Sequence, residues 1–122
     1  MTKVAVYGSL LEGLHNHPVL GDSKLVGKTK VKLGPMYSMG GFPGIHGTGE
    51  NETPVEVYEV NDTIMRNLDR LEGHPHFYFR TPIASDYGRV WVYLLPAGEQ
   101  PTLPRVPNND WRAYVEARRN AA

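Results

Sequence analysis

A glutamate at the end of a helical pattern is the residue of this chain whose setting best suits acid–base chemistry. Glu72 lies directly before Gly73, and a further helix-breaking residue, Pro75, follows closely. The dipole of a helix disfavours a negative side chain at its C-terminus. If the chain also buries Glu72 beside Phe77 and Tyr78, the pKa of its carboxyl should rise toward neutrality, as a general base working near pH 7 requires. The ordinary alternative is a solvated helix-end glutamate, because charged side chains are mostly exposed.

A short turn near the N-terminus, Tyr7-Gly8-Ser9-Leu10, is the second candidate. It follows the β-branched and apolar run TKVAVY, which predicts a buried strand. Glycine lets the backbone turn sharply, and successive N–H groups in such a turn can converge on an anion such as a carboxylate. A phosphate-binding loop is not indicated, because the further glycine and the Lys-Ser/Thr pair are missing. An ordinary strand-ending turn remains the alternative.

Two pairs of alternating histidines raise the question of a metal site. They are His15 with His17 and His74 with His76. Neither pair has a third histidine or a cysteine nearby, and a loop with two ligands rarely completes a zinc site. The two pairs could complete one only together, if the fold brought their loops into contact. We therefore predict no metal and interpret these side chains as surface histidines. Arg80 could hold a substrate carboxylate, although an exposed strand arginine is the more ordinary interpretation.

The elements that must position these residues are short strands and two short helices. Strands are predicted at Thr2–Tyr7, Lys24–Leu33 with a bulge at Gly27, Pro35–Met39, Val55–Val60, Phe77–Ile83 and Arg89–Leu95. Helices are predicted at about Thr63–Leu71, capped by Asn61 or Asp62, and at Trp111–Arg119. Loops are predicted at Gly40–Gly44, Gly47–Thr53 and Pro96–Pro107. About five to six strands without an alternating strand-helix repeat predict an α+β fold, with a mixed sheet that curls toward a small β-barrel, and not a doubly wound nucleotide fold.

The composition narrows the class of protein. A chain of 122 residues predicts a single domain, 1–122. Thirteen Lys and Arg balance thirteen Asp and Glu, so no positive field favours nucleic acid or an anionic membrane surface. Cysteine is absent, which excludes disulfides, thiolate ligands and a cysteine nucleophile. The N-terminal apolar run is too short for a signal peptide, and no span of about twenty apolar residues occurs, so we expect a soluble cytoplasmic protein.

Taken together, these segments resemble the gamma-glutamylcyclotransferase-like family, of the AIG2-like or gamma-glutamylamine cyclotransferase type. Its members begin with a strand followed by Tyr-Gly-Ser/Thr-Leu/Asn and carry a helix-ending Leu-Asp-x-x-Glu-Gly with a tyrosine shortly afterwards. The matches here are Tyr7-Gly8-Ser9-Leu10, Leu68-Asp69-Arg70-Leu71-Glu72-Gly73, Tyr78 and Arg80, together with Phe42-Pro43-Gly44 and Val57-Tyr58-Glu59-Val60. The resemblance runs from about Val4 to Tyr93, and it implies a small mixed α+β barrel.

The resemblance also implies a reaction, the conversion of a small γ-glutamyl compound to 5-oxoproline with release of an amine or amino acid. It gives Glu72 the role of catalytic acid and base. It assigns substrate binding to the turn of Tyr7, Gly8, Ser9 and Leu10 and to the hydroxyl of Tyr78. It implies that the enzyme, a transferase or lyase, needs no metal or cofactor. A non-catalytic module that holds a small carboxylate or peptide end in the same pocket remains the alternative, and the sequence indicates no oligomeric state.

Overall fold

The computed structural model describes residues 1–121, and they form seven strands, two α-helices and two short 3-10 helices. In chain order the strands and α-helices are β1 (Thr2–Val6), β2 (Lys24–Leu33), β3 (Met36–Ser38), β4 (Pro43–Ile45), β5 (Asn51–Val60), α1 (Asp62–Glu72), β6 (Phe79–Ser85), β7 (Gly88–Leu94) and α2 (Trp111–Ala121). The 3-10 helices are His17–Leu20 and Pro107–Asn109. None of the helices in the described part of the chain is long and apolar enough to span a membrane.

Five of the strands form one mixed sheet with the order β2-β5-β1-β7-β6. The short central strand β1 runs antiparallel to β5 and parallel to β7, with Val4 opposite Tyr58 on one side and Trp91 on the other. Strands β3 and β4 form a separate two-stranded sheet. The predicted α+β class is confirmed by this mixture of a five-stranded sheet and two helices.

The sheet curls, but its hydrogen-bonded ladder stays open. The predicted bulge at Gly27 is present as a shift of register in the pairing of β2 with β5. There the Tyr87 side chain of the β6–β7 turn approaches so closely that a Cβ on Gly27 would lie 2.1 Å from its hydroxyl. Within residues 1–121 the edge strands β2 and β6 do not pair. The predicted small β-barrel is therefore not confirmed.

Side chains of β1 alternate between two hydrophobic cores, one on each face of the sheet. Ala5 belongs to the core that also contains Trp111 of α2. Val4 and Val6 belong to the core that contains Leu68 of α1. This alternation follows from the two-residue period of a strand. Because β1 is buried on both faces, the residues that follow it are held firmly at one end of the sheet.

Helix α1 has well-defined ends that determine where Glu72 lies. The side chain of Asn61 accepts a hydrogen bond of 2.8 Å from the N–H of Ile64 and caps the first turn. Gly73 ends the helix in the left-handed conformation, with φ of 68°, which glycine adopts without a steric penalty. The predicted helix, Thr63–Leu71, is therefore correct to within one residue at each end, and Glu72 is its last residue.

Three predicted strand boundaries are wrong, two of them because strands pair over a long range and one because of local hydrogen bonds. Strand β5 begins at Asn51 rather than Val55, because β2 pairs with it as far as Leu33 opposite Asn51. Residues 43 and 44, predicted as part of a loop, belong with residue 45 to β4, which pairs with β3. Strand β6 begins at Phe79 rather than Phe77, because the N–H groups of Phe77 and Tyr78 donate instead to the carbonyls of Gly73 and Glu72.

Candidate active site

A cavity of about 460 Å³ opens at the end of the sheet where β1 and α1 both terminate. Its wall contains every residue predicted to act in catalysis or binding, namely Tyr7, Gly8, Ser9, Leu10, Glu72 and Tyr78. The rest of the wall consists of Ala5, Val6, His15, Asn16, Gly41, Phe42, Pro43, Leu71, Gly73, Phe77 and Tyr93. The structure thus brings together two motifs that lie more than sixty residues apart in the sequence. Their catalytic and binding roles stay predictions.

The turn after β1 lines this cavity and leaves several of its backbone N–H groups unpaired within the described part of the chain. The N–H of Leu11 donates to the carbonyl of Gly8 over 3.0 Å and closes the turn. Among residues 1–121, the N–H groups of Gly8, Ser9 and Leu10 have no acceptor. Asn16 braces the turn, since its side chain donates to the Ser9 hydroxyl over 2.9 Å and its N–H donates to the Ser9 carbonyl. Three consecutive unpaired N–H groups are the feature that an anion-binding nest requires.

Gly8 is required by packing rather than by its backbone conformation. A Cβ at this position would lie 2.7 Å from Cγ of Pro43, which is closer than carbon atoms approach one another. Pro43 is itself held from the other side, because its carbonyl accepts a hydrogen bond of 2.7 Å from the Tyr78 hydroxyl. The absence of a side chain on Gly8 therefore lets the Phe42-Pro43 segment close one wall of the cavity.

Glu72 combines partial burial with the absence of a counter-charge. Burial raises the pKa of its carboxyl from 4.5 to about 7, and burial is the sole cause. Partial burial in the cavity wall removes water from the carboxylate and so disfavours its charged form. A carboxyl with this pKa is present in both protonation states at neutral pH. It can therefore accept a proton and later return it.

Two tyrosines in the cavity wall remain protonated at neutral pH. Burial, followed by the negative charge of Glu72, raises the pKa of Tyr78 well above its usual value of 10. Burial and the neighbouring Tyr78 and Glu72 raise the pKa of Tyr7 in the same direction. The Tyr7 hydroxyl donates to the carbonyl of Tyr93 over 2.7 Å. Both hydroxyls are thus neutral, and Glu72 is the group in this wall whose pKa has moved to neutrality.

The protein-family model "Gamma-glutamyl cyclotransferase, AIG2-like" matches residues 4–113. The chain belongs to this family. The family resemblance stated from the sequence is thereby confirmed.

Relatives in this family align with most of the chain. A gamma-glutamylcyclotransferase family protein of Escherichia coli, YtfP, is 28% identical over 111 residues, which are 89% of this chain and 95% of YtfP. A provisionally named gamma-glutamylcyclotransferase of Methanocaldococcus jannaschii is 38% identical over 106 residues, covering 79% of this chain and 86% of that protein. A similarly named protein of Vibrio cholerae is 36% identical over 92 residues, covering 75% and 79%.

Solved structures share the fold. An uncharacterized protein from Pyrococcus horikoshii superposes with a TM-score of 0.83 at 22% identity, over 98% of each chain. An AIG2-like protein from mouse gives a TM-score of 0.73 at 25% identity, over 87% of this chain and 86% of that one. The solution structure of YtfP from Escherichia coli gives 0.71 at 27% identity, over 90% and 96%. This family fold is therefore common to bacterial, archaeal and mammalian proteins.

An ion pair that the sequence did not predict anchors the family's Leu-Asp-x-x-Glu-Gly motif to the sheet. Asp69, one turn before Glu72, accepts hydrogen bonds from Arg80 over 2.9 Å and from the Tyr93 hydroxyl over 2.7 Å. Burial alone would raise the pKa of Asp69, but these hydrogen bonds and the charge of Arg80 outweigh it and lower the pKa. Arg80 is thus a partner of Asp69 and is not directed to a substrate carboxylate.

The two histidine pairs do not come together as a cluster that could bind a metal ion. Within residues 1–121, no three His, Asp or Glu side chains lie close enough together to hold a metal ion. His15 lines the cavity, whereas Nδ1 of His17 lies 2.9 Å from the carbonyl of Leu10 and Nδ1 of His74 accepts a hydrogen bond from the Arg80 N–H. These rings therefore support the loops around the site.

Asn16 and Tyr93 are two further residues of the cavity wall that were not predicted from the sequence. Asn16 lies in a segment without a clear periodic pattern, and Tyr93 lies within a strand pattern that gives no sign of a site. Phe42 and Phe77 also line the wall, and both had a signal in the sequence: Phe42 belongs to the Phe42-Pro43-Gly44 motif, and Phe77 is an apolar neighbour of Glu72 in the sequence.

Proposed function

We propose that this protein cyclises a γ-glutamyl amine or γ-glutamyl-amino acid to 5-oxoproline and releases the free amine or amino acid. The observation that carries the proposal is the shared cavity of Glu72 and the Gly8–Leu10 turn. One wall offers a carboxyl with a pKa of about 7, and the other offers three unpaired N–H groups. A γ-glutamyl group carries an ammonium and a carboxylate on one carbon atom, so it suits both walls at once.

Glu72 acts as base and then as acid. Its carboxylate takes a proton from the α-ammonium of the substrate, which frees the lone pair of that nitrogen. The nitrogen attacks the γ-carbonyl carbon of the same molecule and forms the C–N bond of the lactam ring. Glu72 returns its proton to the leaving nitrogen as the bond from the carbonyl carbon to that nitrogen breaks, and the regenerated carboxylate then takes the second proton from the ring nitrogen. The products are 5-oxoproline, whose ring nitrogen is neutral, and a free amine, and Glu72 gives its remaining proton to that amine or to water. The reaction needs no cofactor, and having both reactants in one molecule removes much of the entropic barrier.

The backbone turn binds the negative end of the substrate. The N–H groups of Gly8, Ser9 and Leu10 donate to the α-carboxylate or to the oxygen that becomes negative in the tetrahedral intermediate. Asn16 holds the turn through Ser9, so the donors are fixed before the substrate arrives. Preorganised donors of this kind stabilise developing charge without a reorganisation of solvent.

The Tyr78 hydroxyl contributes an acceptor. It donates its proton to the carbonyl of Pro43, so only its oxygen lone pairs remain for a substrate. An acceptor beside Glu72 suits the α-ammonium or the leaving N–H rather than a carbonyl oxygen. This geometry favours a role for Tyr78 in orienting the nucleophile.

Incubation with a panel of γ-glutamyl amides and γ-glutamyl-amino acids, followed by quantification of 5-oxoproline, tests the proposal. We expect turnover of compounds with a free α-amine. The matched N-acetyl derivatives should give no product, because an acylated nitrogen cannot close the ring, and methylation of the α-carboxylate should raise KM. Inactivity across the whole panel would reject cyclisation and favour the module that only binds small carboxylates.

A further inference from the structure

Three exposed apolar side chains surround the mouth of the cavity. Five large hydrophobic side chains of residues 1–121 are exposed, and three of them, Phe42 (38%), Leu71 (41%) and Phe77 (46%), line this cavity. The other two, Met1 and Leu25, lie outside its wall. We call Phe42, Leu71 and Phe77 the apolar rim. Scattered exposed hydrophobic residues are normal, but a cluster beside a pocket indicates contact with a ligand.

The apolar rim is continuous with the proposed catalytic groups. Leu71 and Phe77 directly precede Glu72 and Tyr78 in the sequence. The Phe77 ring packs edge-on against Tyr78 with centroids 4.8 Å apart, and it meets the Phe42 ring edge-on at 6.4 Å. An apolar surface therefore begins beside the general base and extends outward to solvent.

Among residues 1–121, the wall of this cavity has no permanently charged cation to pair with a second carboxylate. Its wall contains no lysine or arginine, and its one histidine, His15, is exposed. Arg80, which is close in sequence, is already paired with Asp69. The leaving part of a γ-glutamyl-amino acid carries its own carboxylate, which would lie near Glu72 without a counter-charge. Repulsion and desolvation both disfavour that arrangement.

We infer that the leaving group of the substrate is an apolar amine, aliphatic or aromatic, whose hydrocarbon part packs on the apolar rim. This inference rests on the proposed cyclisation, in which Glu72 returns a proton to the departing nitrogen. That nitrogen must then lie beside Glu72, which is where the apolar rim begins. The cavity volume of about 460 Å³ falls within the range of about 300–1,000 Å³ of small-molecule sites and leaves space for such a group.

Matched substrates test the inference directly. We compare kcat/KM for γ-glutamylbenzylamide, γ-glutamylmethylamide and γ-glutamylglycine, which differ only in the leaving group. The wild-type protein should prefer the benzylamide over γ-glutamylglycine by at least about tenfold, a typical discrimination for an apolar pocket. In a Phe42→Ser/Phe77→Ser variant, the ratio of kcat/KM for benzylamide to that for methylamide should fall at least about tenfold. Leu25→Ser removes an equally exposed apolar side chain outside the cavity. It should leave unchanged both the preference for the benzylamide over γ-glutamylglycine and the ratio of benzylamide to methylamide.

The outcomes separate this inference from the proposed function. Turnover with equal or greater activity on γ-glutamylglycine would overturn the apolar leaving group and leave cyclisation intact. If no compound gives 5-oxoproline, calorimetric binding of the three compounds to the wild-type protein decides the role of the rim. Tighter binding of the benzylamide, lost in the double variant, would support the rim while rejecting cyclisation. Equal binding of all three would overturn the rim as well. Both substituted residues are exposed, and an unchanged thermal midpoint confirms that the variant is folded.

Discussion

The buried Glu56 and the partly buried Glu72 have opposite surroundings. Glu56, only 4% exposed, is fully partnered: Arg112 contacts it at 2.8 Å, the N–H of Glu12 donates over 2.9 Å, and the Tyr58 hydroxyl donates over 2.8 Å. Glu72 is less deeply buried, yet burial alone governs its pKa. A cation and hydrogen-bond donors stabilise the ionised form of a buried carboxyl. A buried carboxyl without such partners holds its proton more strongly.

Burial by itself therefore does not identify a candidate catalytic carboxylate. Glu56 is more buried, and it links strand β5 to helix α2 through Arg112. Glu72 lies at a helix end where the dipole also opposes a negative charge, and it lines a cavity large enough for a small molecule. A site with a poorly compensated charge at neutral pH is one where the fold gives up stability, and such positions are frequently functional.

The largest effect is expected for Glu72→Gln. The amide keeps the shape of the side chain but cannot accept the proton of the α-ammonium, so turnover should fall by about 10²- to 10⁴-fold. The protein should remain folded, with stability at pH 8 equal to or above that of the wild type. Kinetics of 5-oxoproline release and thermal unfolding measure the two quantities. Glu116→Gln, an exposed substitution on α2, is the control. Turnover that survives Glu72→Gln would assign Glu72 to structure.

The raised pKa of Glu72 predicts opposite pH trends in activity and stability. The base must be ionised, so kcat/KM should rise with pH and level off above about pH 7. The folded state binds this proton more tightly than the unfolded state, so the contribution of Glu72 to stability is lost as pH rises from about 4.5 to about 7. We expect a loss on the order of 2 kcal/mol, reduced from the full shift because the side chain is partly exposed.

Denaturant unfolding of the wild type and Glu72→Gln at pH 4.5, 6 and 8 isolates this effect. The difference in free energy of unfolding between the two proteins should grow in favour of the variant as the pH increases. Other titrating groups, including Asp69, are common to both proteins and cancel in the difference. A constant difference across this range would show that Glu72 titrates like a solvated carboxylate, contrary to its burial.

Arg112→Ala tests the partnered glutamate. Removal of Arg112 leaves Glu56 buried with two hydrogen bonds but no counter-charge, so the free energy of unfolding should fall by about 2 kcal/mol. This is below the usual value for a buried pair because the Arg112 side chain is 36% exposed. Lys32→Ala, which breaks the surface pair with Glu50, should change stability by less than about 1 kcal/mol. Stability is measured by urea unfolding, and kcat/KM of the folded Arg112→Ala protein should match the wild type, since Arg112 lies outside the cavity. A large loss of activity at full folding would contradict the separation of the two regions.

Local patterns predicted the elements that present the site, and long-range contacts account for most of what they missed. Helix α1 is recognisable because its cap at Asn61, its buried Leu68 and its terminating Gly73 are local signals. The extension of β5 to Asn51 depends on pairing with β2, and no neighbour of Asn51 in the sequence indicates it. A small barrel was predicted, but closure depends on whether β2 forms a hydrogen-bonded ladder with β6, which local sequence does not encode.

For the candidate site, motif residues were recognisable and their supports were not. Gly8 and Glu72 are conspicuous because a glycine follows a strand and a carboxylate ends a helix. Pro43, by contrast, contributes through its fit against Gly8 and its hydrogen bond from Tyr78, both of which join distant segments. The Arg80–Asp69 pair likewise appears only when β6 lies beside α1. The chemistry of a side chain is local, whereas the environment that tunes it is a property of the folded chain.

The smallest effect is expected for Tyr78→Phe, which removes the hydroxyl of a tyrosine in the cavity wall. The substitution removes the hydrogen bond to the Pro43 carbonyl, so the free energy of unfolding should fall by about 1 kcal/mol, the usual net value for one hydrogen bond. It also removes the acceptor proposed to orient the α-ammonium, so kcat/KM should fall by about tenfold, which corresponds to about 1.4 kcal/mol. Glu72 keeps its carboxyl, and the pH at which kcat/KM levels off should therefore stay near 7. Tyr114→Phe on α2, outside the cavity, is the matched control. Unfolding in urea and pH-dependent kinetics measure these quantities, and a Tyr78→Phe protein with wild-type kcat/KM would restrict the hydroxyl to holding Pro43 in place.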